Sequence, residues 1–98
     1  MLFILDKPDG VTVDSYIAVN ETGDATVQCQ GFGGNPDEYW YKWQHNGNDI
    51  SEGENGIVEL TFVNRNQSGN YTCSVHNIVG YATGSTTLDV HCKYDALY

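Results

Sequence analysis

Short runs of alternating apolar and polar residues make up most of the 98-residue chain, and glycine, asparagine and proline separate them. Alternation with a period of two is typical of strands that bury one face, and no stretch sustains the longer period of a helix. The pattern therefore predicts an all-β domain. Residues 11–13 and 17–19 suit a first strand in two parts, and residues 25–29 suit the second strand, with its odd-numbered residues facing inward.

The two tryptophans lie close together, and the alternation gives them different roles. Residues 39–43 follow a glycine-rich loop and form the predicted third strand, which ends at a turn over residues 44–47. Trp43 lies fourteen residues after the first cysteine and directly before this turn, so it is the predicted core indole. Trp40 must then point outward, on the same side of the strand as Lys42.

The second half of the chain predicts further strands with the same alternation. The positions predicted to face the core are Val58, Leu60, Val63, Tyr71, Cys73, Val75, Leu88 and Val90. The positions predicted to face outward from residue 70 onward are Asn70, Thr72, Ser74 and His76. This outward set shares its sheet with the third strand, so we expect His76 on the same exposed face as Trp40.

The charge balance argues against two classes of partner. The chain has 4 Lys and Arg residues against 13 Asp and Glu residues, a formal net charge of −9, and its cations are scattered. Nucleic acids and anionic membranes are bound by clustered cations. No segment approaches the roughly 20 apolar residues of a membrane span. We therefore expect one domain that binds no nucleic acid and, in this fragment, inserts into no membrane.

Three Asn-x-Ser/Thr triplets begin at Asn20, Asn66 and Asn70, and each is a potential N-glycosylation acceptor in a secreted protein. Because about one such triplet is expected by chance at this composition, three favour the secretory pathway. Asn20 and Asn66 lie in predicted turns and are the better acceptors. Asn70 lies beside Tyr71, where early folding opposes modification.

A set of positions spread over the whole chain resembles the immunoglobulin superfamily. The set comprises Cys29, Trp43, Leu60, Val63, Gly69, Tyr71 and Cys73. Its cysteine interval of 44 residues is similar to the shorter intermediate (I-set) or constant-2 (C2-set) types, since the variable type inserts two more strands. The resemblance implies a Greek-key β-sandwich of two antiparallel sheets with about seven to eight strands.

The same resemblance implies roles for individual residues. It pairs Cys29 with Cys73 in a disulfide, with Trp43, Leu60 and Tyr71 as the core framework. A disulfide of this kind, together with the glycosylation triplets, implies an extracellular location, at the cell surface or secreted.

One position departs from the usual pattern of the family. An aspartate commonly stands two residues before the glycine of the run Gly69–Cys73 and pairs with a basic residue near the fourth strand. Here that position is Gln67, and residues 51–56 contain no Lys or Arg. We therefore expect Tyr71 and neutral hydrogen bonds to hold this corner.

Both ends of the chain resemble junctions between tandem domains of adhesion receptors. We expect residues 1–9 to be an N-terminal linker or the end of a preceding module, residues 10–92 to be the immunoglobulin-like domain, and residues 93–98 to be a C-terminal linker.

Cys92 is the odd cysteine and leaves two alternatives open. It is either an unpaired, partly covered thiol near the end of the fragment, or it forms a bridge to another domain or subunit, as in a disulfide dimer.

No recognisable reaction chemistry is present in the chain. It lacks a nucleophile elbow and a phosphate-binding loop before a helix, and its histidines lack the close spacing of a zinc site. We expect no catalytic residue, no cofactor and no metal, and the chain is interpreted as a non-enzyme.

The resemblance implies a recognition or cell-adhesion module of a larger multi-domain receptor or adhesion protein. Its partner would be a cell-surface or secreted protein, a second copy of the chain included. Trp40, Lys42 and His76 are the candidate contact residues, with Phe32 and Tyr81 as further apolar anchors, because exposed aromatic residues are enriched at binding hot spots. The alternatives are that a glycan, loop or neighbouring strand covers Trp40, and that the domain is a structural spacer in a tandem array without its own ligand.

Overall fold

The computed structural model describes residues 4–92, which form eight strands and one short 3₁₀-helix, Arg65–Gln67. The strands are β1 (Gly10–Val13), β2 (Tyr16–Asn20), β3 (Ala25–Phe32), β4 (Trp40–His45), β5 (Asn48–Gly53), β6 (Ile57–Leu60), β7 (Gly69–His76) and β8 (Tyr81–His91). No helix of the described range is long and apolar enough to cross a membrane. The all-β prediction is confirmed.

The strands form two sheets, of order β1-β3-β6 and β2-β8-β7-β4-β5. The predicted two-part first strand is confirmed, because β1 joins the first sheet and β2 crosses to the second. β1 pairs with β3 in the antiparallel sense, whereas β2 runs parallel to β8 from Tyr16 opposite Thr87 to Asn20 opposite His91. The chain keeps its direction when it passes from β1 in one sheet to β2 in the other. The β2–β8 pair is therefore parallel, whereas the resemblance implies antiparallel sheets.

A disulfide and an indole join the two sheets at the centre of the core. Cys29 of β3 and Cys73 of β7 form the expected bridge, with their Cα atoms 6.6 Å apart. Trp43 lies opposite Cys73 in the register of β4 and β7 and is only 1% exposed. Its Nε1 donates a hydrogen bond of 2.9 Å to the carbonyl oxygen of Gly56, so the buried indole leaves no donor unpaired.

The inward positions predicted from alternation line this core. The buried apolar residues are Ala25, Val27, Cys29, Tyr41, Trp43, Val63, Tyr71, Cys73, Val75, Leu88 and Val90. Val58 and Leu60 of β6 are half-buried and pack against the cluster. They are less covered because β6 is an edge strand, whereas β3 and β7 lie inside their sheets.

Strand β5 was not expected from the sequence, although its turn was. Asn46 and Gly47 have φ angles of 48° and 90°, and these two residues connect β4 directly to β5. Such a two-residue loop with both φ angles positive is the preferred hairpin connection. Every residue of β5 except Ser51 is exposed. The strand therefore has almost none of the apolar alternation from which a strand is predicted.

The corner before β7 is held by neutral hydrogen bonds, as the glutamine at position 67 leads us to expect. The Asn64 side chain accepts a hydrogen bond from the N–H of Asn66, and the Gln67 side chain accepts one from the N–H of Asn64, both 2.9 Å long. This reciprocal arrangement is a capping box. The Tyr71 hydroxyl then donates to the Gln67 carbonyl oxygen over 2.5 Å.

The segment before β1 contacts the sandwich. The backbones of Asp6 and Asn35 exchange two hydrogen bonds of 2.9 Å, the N–H of Asp9 donates to the carbonyl oxygen of Phe32, and Pro8 is buried. The domain boundary at residue 10 stays a prediction. The remainder of the expected linkers, residues 1–3 and 93–98, lies outside the described residues.

Thr86 of β8 generates a prediction about stability. It is 1% exposed, and its Oγ1 has no hydrogen-bond partner among residues 4–92. A buried hydroxyl without a partner is destabilising, so the nearly isosteric substitution Thr86→Val should raise the free energy of unfolding by about 1 kcal/mol. Urea unfolding monitored by tryptophan fluorescence measures this change.

Thr87→Val is the matched control because Thr87 is the adjacent, exposed residue of the same strand. Its effect should stay within about 0.5 kcal/mol. A loss of stability in Thr86→Val would show that the hydroxyl has a partner after all.

Candidate functional site

The exposed face of the five-stranded sheet brings together the outward residues predicted as contacts. In the antiparallel register, Trp40 of β4 lies opposite His76 of β7, and His76 lies opposite Tyr81 of β8. Residues directly opposite each other on one face of a sheet are close enough for their side chains to touch. We call Trp40, His76 and Tyr81 the aromatic row.

The aromatic row is a continuous stack. The ring centroids of Trp40 and His76 are 3.9 Å apart with an interplanar angle of 8°, and those of His76 and Tyr81 are 5.2 Å apart at 28°. The outer members remain accessible, with Trp40 40% and Tyr81 57% exposed. His76 of the neighbouring strand therefore packs against one face of the Trp40 ring, while part of the ring remains accessible.

Lys42 lies in the next row of the same face, opposite Ser74 of β7. Its Nζ is 3.4 Å from a carboxylate oxygen of Asp49 on β5. A hydrogen bond from Gln44 lowers the pKa of Asp49, and the charge of Lys42 lowers it further. The pair is solvent-exposed and adds little to stability, but it holds Lys42 toward β5.

His76 has an unusual environment for a histidine on a sheet surface. Burial between the two aromatic rings lowers its pKa below the ordinary value of 6.5, the positive charge of Lys42 lowers it further, and Glu52 raises it. The Nε2 atom lies 2.9 Å from the Ser74 hydroxyl. His76 is therefore held in the neutral form to lower pH than an exposed histidine.

Asn77 positions the hairpin beside the aromatic row, and it was not identified from the sequence. Its side-chain amide donates to the carbonyl oxygens of Asp6 and Pro36 at 2.7 and 3.0 Å, and its oxygen accepts from two hairpin N–H groups. The side chain is buried where two segments distant in sequence meet its own hairpin. As a result, Ile78 and Val79 project at the tip of this hairpin, 82% and 44% exposed.

Other predicted site residues lie away from the aromatic row. Phe32 is 50% exposed at the end of β3, in the other sheet. Asn20, Asn66 and Asn70 are all exposed, and the amide of Asn70 donates to the Thr72 hydroxyl over 3.2 Å. Cys92 is a free, half-covered thiol just after β8.

The described residues group no three acidic, histidine or cysteine side chains in a way that could hold a metal ion. The three histidines serve separate contacts. His45 stacks on Tyr71 with centroids 4.3 Å apart, His76 belongs to the aromatic row, and His91 pairs with Asp89 at 3.2 Å.

The sandwich, its disulfide and its core tryptophan agree with a comparison against protein-family models. The model described as an immunoglobulin domain matches residues 7–77 of the chain. The chain belongs to the immunoglobulin domain family. Within that family, the mouse (Mus musculus) protein IgLON family member 5 is 33% identical over 84 residues, which are 86% of this chain and 24% of that protein. This immunoglobulin domain thus spans about a quarter of its curated relative.

Solved immunoglobulin structures share the fold. Sidekick-1 immunoglobulin domains 1–5 match with a TM-score of 0.76 at 20% identity, covering 92% of this chain and 21% of that one. An I-band fragment of titin matches with a TM-score of 0.72 at 23% identity, covering 89% of this chain and 33% of that one. At such identities, the likeness concerns the fold alone.

The lowered pKa of His76 predicts a pH dependence of stability. The unfolded chain, in which this histidine titrates near 6.5, binds more protons than the folded domain at mildly acidic pH. The contribution of His76 is therefore complete above pH 6.5 and is lost as the pH falls from that value through the folded pKa. We expect the NMR titration midpoint of the His76 ring to lie below 6.5.

His76→Gln supplies the control, because the other histidines and the carboxylates still titrate in this variant. The stability lost between neutral pH and about pH 5 should be smaller in His76→Gln than in the parent domain. Equal losses, or a titration midpoint above the ordinary value, would contradict the prediction.

Proposed function

We propose that this immunoglobulin domain is an extracellular recognition module of a larger multi-domain receptor or adhesion protein, and that it binds a protein partner through the aromatic row. The observation that carries the proposal is a stacked Trp-His-Tyr array left open on a sheet face. The disulfide and the three glycosylation triplets support an extracellular setting.

The aromatic row has the physical properties of a binding hot spot. Tryptophan and tyrosine bury a large area with few rotatable bonds, and they are enriched among residues whose truncation weakens binding most. Stacking on His76 already restricts the Trp40 ring in the free domain. Less conformational entropy is then lost on binding, so more of the contact energy appears as affinity.

Charge adds a preference among protein partners. The domain carries a formal net charge of −9, and the aromatic row itself contributes no formal charge while His76 is neutral. An apolar contact surrounded by an acidic surface favours a partner with a basic rim, because the attraction raises the encounter rate. The same charge opposes a second copy of the domain, so homophilic binding would have to rely on the apolar contact.

The glycosylation triplets lie toward the opposite end of the sheet from the aromatic row. Asn70 pairs with Thr87, whereas His76 pairs with Tyr81 six residues along both strands, a separation of about 20 Å. Asn20 pairs with His91 farther toward that end, and Asn66 lies on the 3₁₀-helix before β7. Glycans at these positions would leave the aromatic row accessible.

A structural spacer without its own ligand is the second candidate function. The fold is shared with an I-band fragment of titin as well as with Sidekick-1, so the fold does not distinguish recognition from spacing. The two functions differ in one measurable property, which is whether the isolated domain binds any protein.

Trp40→Ala tests the recognition surface. We expect the multimerised parent domain to bind at least one member of a library of cell-surface ectodomains, or itself in sedimentation, at moderate salt. Truncation of the tryptophan should weaken that binding about 30-fold, the effect of a hot-spot residue worth about 2 kcal/mol. Surface plasmon resonance measures the ratio of dissociation constants.

Phe62→Ala is the control, because Phe62 is 74% exposed and lies outside the strands of the face. It should leave the dissociation constant unchanged within about twofold, with both variants folded by circular dichroism. Unchanged binding in Trp40→Ala would remove the aromatic row as the contact. Absence of any partner for the parent domain would favour the spacer.

Two glycan variants test whether the row stays accessible in a glycosylated protein. Thr83→Asn creates an Asn-Gly-Ser triplet on β8, one row from the aromatic row, and should abolish binding once its occupancy is confirmed by mass spectrometry. Asn70→Gln removes the glycosylation acceptor on the same sheet face as the aromatic row, and it should change the affinity for the partner by less than about twofold. A large gain on Asn70→Gln would show that a glycan there masks the contact.

A further inference from the structure

A cleft of about 400 Å³ lies beside the disulfide, on the side of the sandwich away from the aromatic row. It forms where two strands leave their common neighbour, since β1 pairs with β3 over residues 29–32 and β6 pairs with β3 over residues 25–28. The link between β5 and β6 forms the other wall. The volume falls within the range of about 300–1,000 Å³ that is common for ligand sites.

The lining of the cleft combines negative charge with a partly apolar interior. Asp14, just after β1, and Glu54, just after β5, contribute carboxylates from opposite walls. Neither carboxylate forms an ion pair or a side-chain hydrogen bond with another residue of the range 4–92. Val13 and Ile57 contribute apolar surface, and the largely buried Tyr41 lies behind them.

Positive charge is missing from this lining. None of the described residues that line the cleft is Lys, Arg or His, and its neutral polar groups are amides and the hydroxyls of Thr12 and Tyr41. Among residues 4–92, only Glu21, Asp49 and Asp89 have a basic neighbour within 4.0 Å, so Asp14 and Glu54 share the lack of an ion pair with the other carboxylates of this range. The cleft therefore holds unneutralised carboxylates within a concave, partly apolar shape.

We propose that this cleft binds the side chain of an arginine or lysine presented by a partner protein. A long cationic side chain matches the lining, because its methylene groups can lie against Val13 and Ile57 while its charged end reaches Asp14 and Glu54. The charged end would form charge-assisted hydrogen bonds to the carboxylates. The site is separate from the aromatic row, so each proposal can fail without the other.

The test uses single amino acid derivatives as probes on the whole 98-residue chain. N-acetyl-arginine amide, titrated into the labelled domain, should shift the NMR signals of Gln28, Gln30 and Gly56, which line the cleft. N-acetyl-citrulline amide has nearly the same shape without the charge, and it should bind at least about tenfold more weakly. Equal shifts by the two probes would overturn the proposal.

Matched double variants separate the cleft from the general attraction of an acidic domain. Asp14→Asn with Glu54→Gln should weaken arginine-probe binding at least about tenfold, whereas Asp37→Asn with Glu38→Gln removes the same charge elsewhere and should leave it within about twofold. Urea midpoints test whether both double variants fold. If the Asp14→Asn, Glu54→Gln variant does not fold, the single variant Glu54→Gln replaces it. Equal weakening by both pairs would overturn the proposal, and so would the absence of any shift in the parent domain.

Trp40→Ala should bind the arginine probe as well as the parent domain does. Loss of arginine-probe binding in Trp40→Ala would contradict the proposal that the cleft is a site separate from the aromatic row. Loss of partner binding alone would bear only on the aromatic row as the recognition surface.

Discussion

The cross-link between β3 and β7, packed against Trp43, is the constraint on which the rest of the sandwich depends. It joins the central strand of the three-stranded sheet to the central strand of the five-stranded sheet, across 44 residues of chain. A bridge that closes so long a loop contributes an estimated 2–5 kcal/mol, which is a large part of the stability of a small domain. Both sites lie close to this cross-link, because Cys29 lines the cleft and His76 of the aromatic row lies on the same strand as Cys73.

Period-two alternation made most of the core predictable from the sequence. It separated Trp43, buried at the centre, from Trp40, exposed on the face, although the two lie only three residues apart. It succeeded because an antiparallel strand with one buried face allows a single parity, and a shift by one residue would expose every apolar side chain. The same rule placed Lys42 and His76 on the face of Trp40 before any register was known.

Features that depend on contacts between distant segments were not predictable. Strand β5 has almost no buried face, so only its Asn46-Gly47 turn carried a signal. Asn77 is a single polar residue after a strand, and its contacts to Asp6 and Pro36 exist only once three segments have assembled. The cleft likewise arises from strand pairing, because no local pattern indicates that β1 and β6 leave β3 at the same point.

The parallel pairing of β2 and β8 has a mechanical consequence. The two strands lie side by side in the same direction over five paired positions, so the start of β2 and the end of β8 lie at opposite ends of the pair. Tension between these two points pulls the strands along their length in opposite directions, so the hydrogen bonds of the pair are loaded together in shear. A hairpin pulled from its open end would instead lose them one at a time. The crossing of the first strand from sheet to sheet therefore determines the direction in which this strand pair resists separation.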